Sequence, residues 1–346
     1  MAKIRFKDYL IDYLDYNNIT NKEFANRIGI TPKHLIDILS GSRDLSSSVI
    51  ENISLITNIP IEYIYKIELN YKLEEKVEDY LRKENMTITN FLNRFNYKFL
   101  IDNDYIEFTD KGDKKEVLKD IIKFLRVNSP EKIYELEKAG FYKSKNNKPE
   151  LLLLWLEKCY RQTLKQEIGE YNKKNVDYLV NYIFECAKNN IFNEINLVKE
   201  FSQKGIFLVI QDDIPGSKIR GVFKVHKNAP AIYITRKHKR IADIYFALLH
   251  ELAHCKSDFN KAKSESLVSY DDSIEEKADF QAYNWMVNNE YYQNICIKQN
   301  YNIELEEKYP KSFIVYRLAK DNIIKYESSI YQKYNTLINF DNKLTD

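Results

Sequence analysis

Over the first seventy residues apolar side chains recur every three or four positions, the period of an amphipathic helix. Phe6, Tyr9, Leu10, Tyr13 and Leu14 fall on one face of a helix predicted over 5–17. Thr20 predicts an N-cap, with Glu23 three residues on completing a capping box, and the helix it opens ends at Gly29. Thr31-Pro32 starts a second short helix, PKHLIDILS, which Gly41 stops. Further helices are predicted over 47–57 and from 61 onward. The same texture continues through 75–185, with a hairpin or extended turn within 98–110 around Asp102-Asn103-Asp104 and a polar linker, KSKNNKP, at 143–149. After Gly205 the pattern shortens. The partly β-branched runs at 206–211, 221–226 and 231–235, separated by turns such as Ile214-Pro215-Gly216-Ser217, predict a small antiparallel sheet. From Arg240 on the chain reads as helical again. With 8 glycines and 7 prolines in 346 residues, the expected class is mainly α, an α+β chain with little sheet.

The stretch 21–40 has the two helices and glycine-containing turn of a helix-turn-helix, with Phe24, Ala25, Ile28, Ile30, Leu35 and Leu39 as its core. Thr31, Lys33, His34 and Asp37 would project from the second helix toward DNA, with Ser42 and Arg43 just beyond it. Charge limits that reading. The whole chain carries +2, and residues 1–70 hold eight Lys and Arg against nine Asp and Glu, or −1. Phosphate neutralisation dominates DNA affinity, so binding would need a local basic patch and two copies of the module. A homodimer on an inverted repeat is the expected partner arrangement.

A second chemistry sits in ALLHELAHCK. On a helix, His250 and His254 lie one turn apart on one face, so both imidazoles reach one ion. Glu251 stands beside that face, where it would take a proton from water activated by the ion. Ile241, Ile244, Tyr245, Leu248, Leu249 and Leu252 give the helix an apolar side to rest on. A third ligand comes from IEEKADFQAYNWM at 274–286, an amphipathic helix with Ile274, Ala278, Ala282 and Trp285 as its apolar stripe. Glu275 and Asp279 share another face, which suits a carboxylate ligand followed by an acid that orients an imidazole; Glu276 is the other candidate ligand. Two histidines and one carboxylate leave a coordination position open, the catalytic arrangement, with one zinc ion per chain the default. Asp243, two turns before His250, is too far to ligate and suits the positive end of the helix dipole. Tyr233, Tyr270 and Tyr283 are candidates to stabilise an oxyanion, and the polar loop 256–273 to gate the cleft.

These segments resemble known families. Ile219-Arg220-Gly221, Ala231 to Arg236, Asp243 and LLHELAH are similar to ImmA/IrrE-type metallopeptidases, in which an E-x-x-A-[ND] helix follows the HExxH helix. Glu275-Glu276-Lys277-Ala278-Asp279 fits that pattern, and the resemblance assigns the metal to Glu275. Phe313 to Leu318 resembles the family's IVVGRL stretch, with Tyr316 where glycine is usual. NKEFANRIGITPKHLIDILSGSRDLS, closed by Asn70-Tyr71, resembles Xre-type domains of plasmid-maintenance antitoxins, and the helix expected at 121–133 resembles the connecting segment of larger members. The resemblance implies a helix-turn-helix domain at 1–73, a helical connecting region at 74–148 and a zincin-like peptidase at 149–346. It also implies endopeptidase activity on a regulatory protein such as a repressor, a toxin or the chain itself. Two other readings take the same residues: a metal-bearing DNA-binding regulator that does not cleave, and an antitoxin acting by protein binding. The intact general base Glu251 favours catalysis over the first.

Composition adds three exclusions. The near-neutral charge advertises no broad anionic partner surface. The longest apolar run, LLLLWL at 151–156, falls short of the roughly 20 residues of a membrane span. MAKIRFKDYL lacks the features of a signal peptide, so a cytoplasmic protein is expected, away from membranes, with Cys159, Cys186, Cys255 and Cys296 as buried free thiols.

Overall fold

A computed structural model of the chain describes residues 5–138, 148–264, 272–297 and 302–340. Residues 143–147 of the polar linker expected at 143–149 lie outside them, as do Tyr270 and the rest of 265–271 in the expected gating loop. The chain opens with five helices: α1 (Phe6–Tyr16), α2 (Asn21–Arg27), α3 (Pro32–Ser40), α4 (Ser47–Thr57) and α5 (Ile61–Lys83). Four short ones follow: α6 (Ile88–Arg94), α7 (Tyr97–Asp102), α8 (Lys114–Phe124) and α9 (Glu131–Lys138). Then come α10 (Pro149–Thr163), α11 (Lys174–Lys188) and α12 (Glu194–Gln203), before the strands β1 (Phe207–Gln211), β2 (Gly221–His226) and β3 (Ala229–Thr235). The described chain closes with α13 (Ile241–Ser257), α14 (Phe259–Ser264), α15 (Asp272–Met286), α16 (Asn289–Ile297), α17 (Lys311–Lys320) and α18 (Ser329–Tyr334). No described helix is long and apolar enough to cross a membrane.

The chain divides into two compact units, one of residues 1–91 and 107–131, the other of 92–106 and 132–346. In the first, Phe6, Leu10 and Leu14 of α1 pack with Phe24, Ala25, Ile28, Leu35, Ile38, Val49, Ile50, Ile53 and Ile64 into one buried core. Truncating a residue such as Leu35 to alanine would cost about 2–5 kcal/mol. The expected core is corrected in its membership: Ile38 is fully buried, whereas Ile30 and Leu39 are partly buried and pack at its edge. Tyr9, expected on the buried face of α1, is exposed and meets the ring of Tyr63 edge-on. Glu68 closes the unit from a distance. Its Oε1 accepts the Phe6 amide at 3.0 Å at the start of α1, while Oε2 takes the Arg5 guanidinium at 3.3 Å. Helix α5 runs unbroken past residue 73 and ties to α8 through the buried Lys119, which donates to Glu74 at 2.7 Å. The single helix expected at 121–133 is the end of α8 and the start of α9. Arg126 adopts a left-handed backbone (φ 55°), and Pro130 disfavours the helical conformation at Ser129.

The sheet in the second unit is mixed, which corrects the antiparallel expectation. Its order is β1-β3-β2, with β2 antiparallel to β3 and β1 parallel to it. The reason lies in the two connections. Lys227 and Asn228, both with positive φ (47° and 63°), make a two-residue turn whose twist suits a hairpin, so β3 folds back along β2. The longer connection at 212–220 carries the chain over the place that β3 later fills, and the last strand slots in beside the first. Central β3 is buried along its whole length, and its alternating side chains serve two layers. Ile232 and Ile234 pack in the core with α11, α12 and α13, whereas Tyr233 meets Trp155 of α10 edge-on on the other face. Arg236, just beyond β3, is fixed to buried Glu194 at the head of α12 by two parallel bonds of 3.1 and 2.6 Å.

Candidate metal centre and helix-turn-helix

Helix α13 is central to its unit: Ile241, Ile244, Tyr245, Leu248, Leu249, Leu252 and Cys255 are all buried. Its N-terminus is anchored by Asn335, fully buried, whose Oδ1 accepts the Ala242 amide at 2.9 Å and whose Nδ2 donates to Asp243 at 2.9 Å. Asp243 therefore does more than face the helix dipole, because it ties the C-terminal segment to α13. A rigid, buried helix is what lets two imidazoles be held within tenths of an ångström.

The structure brings His250, His254 and Glu275 together and leaves the alternative, Glu276, exposed. His250 Nε2 lies 3.1 Å from Glu275 Oε2 and 3.1 Å from His254 Nε2, and His254 Nε2 lies 3.4 Å from Glu275 Oε1. Tetrahedral ligands about 2.0–2.1 Å from a zinc ion stand about 3.3 Å apart. The triangle of donors thus has the size of one face of a zinc tetrahedron, and the residues fit the ion. Among the described residues this is the one group of three His, Cys, Asp or Glu whose ligand atoms all lie within 4.8 Å of one another. Cys255, next to His254 in sequence, points instead into the core, with its Sγ 3.5 Å from the hydroxyl of Tyr171. All four cysteines are free thiols, but Cys186 is half-buried and Cys296 exposed, which corrects the expectation that all would be buried.

Each histidine has a carboxylate behind it. Nδ1 of His250 donates to Asp279 at 2.8 Å, the geometry that an orienting carboxylate would need. Nδ1 of His254 donates to Asp258 at 2.9 Å, a partner the sequence reading missed. The signal was there: Asp258 is four residues after His254 and caps the C-terminus of α13, where a carboxylate opposes the helix dipole. Both bonds fix the tautomer that leaves Nε2 free to ligate. Without an ion, burial opposes charge on His250, but hydrogen bonds to Asp279 and Glu275 outweigh it and lift its pKa to about 10. The same balance, with Asp258 and Glu275 as acceptors, lifts His254 to about 9. Burial would raise Glu275, but hydrogen bonds from both imidazoles hold it at about 2.

Glu251 is 6% exposed and lies over the first residue of β2. A Cβ on Gly221 would stand 2.5 Å from Glu251 Oε1, so glycine is there for space rather than for backbone freedom. Burial pushes the Glu251 carboxyl above the usual range, offset only in part by the two histidines. Phe223 stacks on the His254 ring and Phe246 flanks His250. Of the oxyanion candidates, Tyr233 is corrected: it faces α10 across the sheet from α13, with its hydroxyl bonded to Thr163 at 3.1 Å. Tyr283 remains on the side of the histidines, its ring 4.7 Å from that of Phe246, which flanks His250. The expected gating loop begins as helix, with residues 256–257 in α13 and 259–264 forming α14.

In the first unit, α2 and α3 meet through a tight turn whose Ile28 carbonyl accepts from Asn52 at 2.9 Å. Thr20 caps α2 as expected, while the Glu23 side chain pairs with Arg27 one turn on. Thr31 caps α3 by accepting the His34 amide at 3.2 Å, and Gly41 ends it in the left-handed conformation (φ 82°). Lys33, Ile36 and Ser40 are exposed and Asp37 half-exposed, which makes the i, i+3, i+4, i+7 stripe that α3 presents to solvent. His34 is half-buried at its flank. Ser42 is anchored to the Asp37 carbonyl, and Arg43 is exposed beside it. Neither Lys33 nor Arg43 has an ion-pair partner among the described residues, whereas Arg5 is occupied by Asp44 and Glu68. Ile36 and Ser40 were not foreseen as members of this face.

A helix-turn-helix family model matches residues 13–64. The N-terminal unit therefore carries a helix-turn-helix of the Xre type, a DNA-binding module of transcriptional regulators. No curated protein and no solved structure matched the chain.

Proposed function

We propose that the chain joins its DNA-binding helix-turn-helix to a zinc-dependent endopeptidase that cleaves a regulatory protein: a repressor, a toxin partner or the chain itself. The observation that carries this reading is the donor triangle of His250, His254 and Glu275 with the buried carboxylate of Glu251 on the same helix. A structural zinc site is closed by four protein ligands and has no use for a general base; three ligands with a base beside them suit hydrolysis. His250, His254 and Glu275 would hold the ion, which when bound supplies Lewis acidity toward a carbonyl and toward water. Glu251 accepts the proton of the attacking water at its carboxylate and passes it to the leaving amine nitrogen. Its burial favours this, because a carboxyl raised toward neutrality is both an adequate base and an adequate acid. Asp258 and Asp279 keep the imidazoles oriented throughout.

At the other end, Lys33 and Arg43 supply the cationic contacts, and Ile36 offers an apolar face suited to a thymine methyl. Asp37 on the same stripe repels phosphate and makes one module weak, which favours a dimer on an inverted repeat. The test of the peptidase reading is Glu251→Gln. Wild type and variant are co-expressed with the proteins encoded beside the gene, and fragments are sought by mass spectrometry. Wild type should cleave one of them or itself, and the variant should keep its metal but lose about 10²–10⁴-fold in rate. Equal cleavage by the variant would remove Glu251 from the mechanism.

A further inference from the structure

A cavity of about 510 Å3 opens among α15, α16 and α17, with none of the triad residues in its lining. Phe280 and Tyr283 of α15 and Tyr292 and Ile297 of α16 give it apolar walls, and Arg317 and Asp321 bring charge from α17 and its C-terminal cap. Arg317 is nine-tenths buried. Its Nη1 donates to the carbonyls of Tyr283 (3.2 Å) and Val287 (2.5 Å), at the negative end of α15, and the guanidinium lies 3.8 Å from the ring centroid of Tyr292. No described residue takes a hydrogen bond from its Nε or Nη2, and no described carboxylate lies within ion-pair distance. Neither atom is sealed from solvent, so both donors are open to a solute that enters the cavity. Asp321, exposed and one helical turn along the same face, accepts the Tyr292 hydroxyl at 2.6 Å. Phe280 is 65% exposed at the rim.

The cavity thus presents a fork of donors and a carboxylate one turn apart, with aromatic walls around them. A multiply charged anion such as phosphate fits poorly, because Asp321 repels it. We propose that the cavity binds an α-amino acid with a large apolar side chain, its carboxylate on Arg317, its ammonium on Asp321 and its side chain against Phe280, Tyr283 and Ile297. An Arg–carboxylate contact is bidentate and directional, which would use the donors left over by the α15 carbonyls.

The inference stands apart from the peptidase reading, since it is read by binding alone. Calorimetric titration of the full metal-loaded chain uses L-phenylalanine, its amide, its N-acetyl derivative and inorganic phosphate as probes. Phenylalanine should bind, and each singly blocked form should bind about tenfold or more weakly. Phe280→Ala, a substitution at an exposed rim position, should weaken phenylalanine about tenfold. Asp321→Asn should lose the preference for phenylalanine over the N-acetyl form. The proposal fails if phenylalanine gives no heat at about 10 mM, if phosphate competes as well as the amino acid, or if both variants bind like wild type.

Discussion

Asp258→Asn separates a site built for metal from a chance meeting of polar groups. The residue caps α13 against the helix dipole, a placement that by itself costs about 0.3–1 kcal/mol. What it gains is the Nδ1 hydrogen of His254, accepted at 2.9 Å. Asparagine keeps the shape and still offers an oxygen, but it lacks the charge that makes the imidazole a stronger ligand. Loss of such an orienting carboxylate weakens metal binding about 10–100-fold, or about 1.4–2.7 kcal/mol. At free zinc about 100 times the wild-type Kd, zinc adds about 2.7 kcal/mol to the stability of the wild-type unit. The variant would retain only about 0.4–1.4 kcal/mol of that. Competition against a fluorescent zinc chelator measures the affinity, and thermal unfolding with and without zinc measures the linkage. Asp279→Asn is the parallel case on His250. If both variants hold zinc within twofold of wild type, the carboxylates do not orient the imidazoles and the catalytic reading loses its support.

Three further outcomes follow from the same geometry. Gly221→Ala puts a methyl 2.5 Å from Glu251 Oε1, so the carboxylate must move by almost 1 Å; zinc content should persist while any cleavage rate falls about 10²-fold, and an unimpaired rate would show that Glu251 does not act from this position. In metal-free protein, His250 and His254 titrate at about 10 and 9 rather than 6.5, so their contribution to stability is full below pH 6.5 and is lost as pH rises through 9–10. Glu275, held at about 2 instead of 4.5, contributes above pH 4.5 and loses its contribution as pH falls through 2; thermal melts in chelator should therefore decline from pH 6.5 to 10, less so in Glu275→Gln, and a flat profile would contradict the charge assignment. Lys33→Ala and Arg43→Ala should each weaken binding of the full chain to DNA from its own upstream region about equally for all sequences and flatten its salt dependence, whereas Ile36→Ala should relax sequence preference; gel shifts across a salt series unaffected by all three would move the interface elsewhere.

The parts of this structure legible in the sequence are those set by short-range periodicity. The four-residue spacing of His250 and His254, and of Glu275 and Asp279, fixes a shared helix face before any tertiary contact is known. Thr20, Thr31 and Gly41 likewise mark helix ends through local hydrogen bonds and backbone conformation. Long-range contacts were not legible. Lys227-Asn228 lacks the glycine that usually announces a two-residue hairpin, and the parallel pairing of β1 with β3 depends on a strand arriving from elsewhere. Alternation along β3 says that Tyr233 and Ile232 part company, but not that α13 covers the side of Ile232. Gly221 reads as a strand start, and only the fold places Glu251 over it. Ile38 and Leu39 are neighbours of similar hydrophobicity, so the choice of which one enters the core falls to the packing of α3 against α1 and α2.

The central claim is that the two histidines and Glu275 hold one zinc ion. Elemental analysis of the full chain, purified without added metal and after zinc reconstitution, tests it without any need for a substrate. Wild type should carry one zinc per chain, Glu275→Ala should lose most of it, and Glu276→Ala should keep it. Full occupancy in Glu275→Ala, or no zinc in reconstituted wild type, would contradict the account.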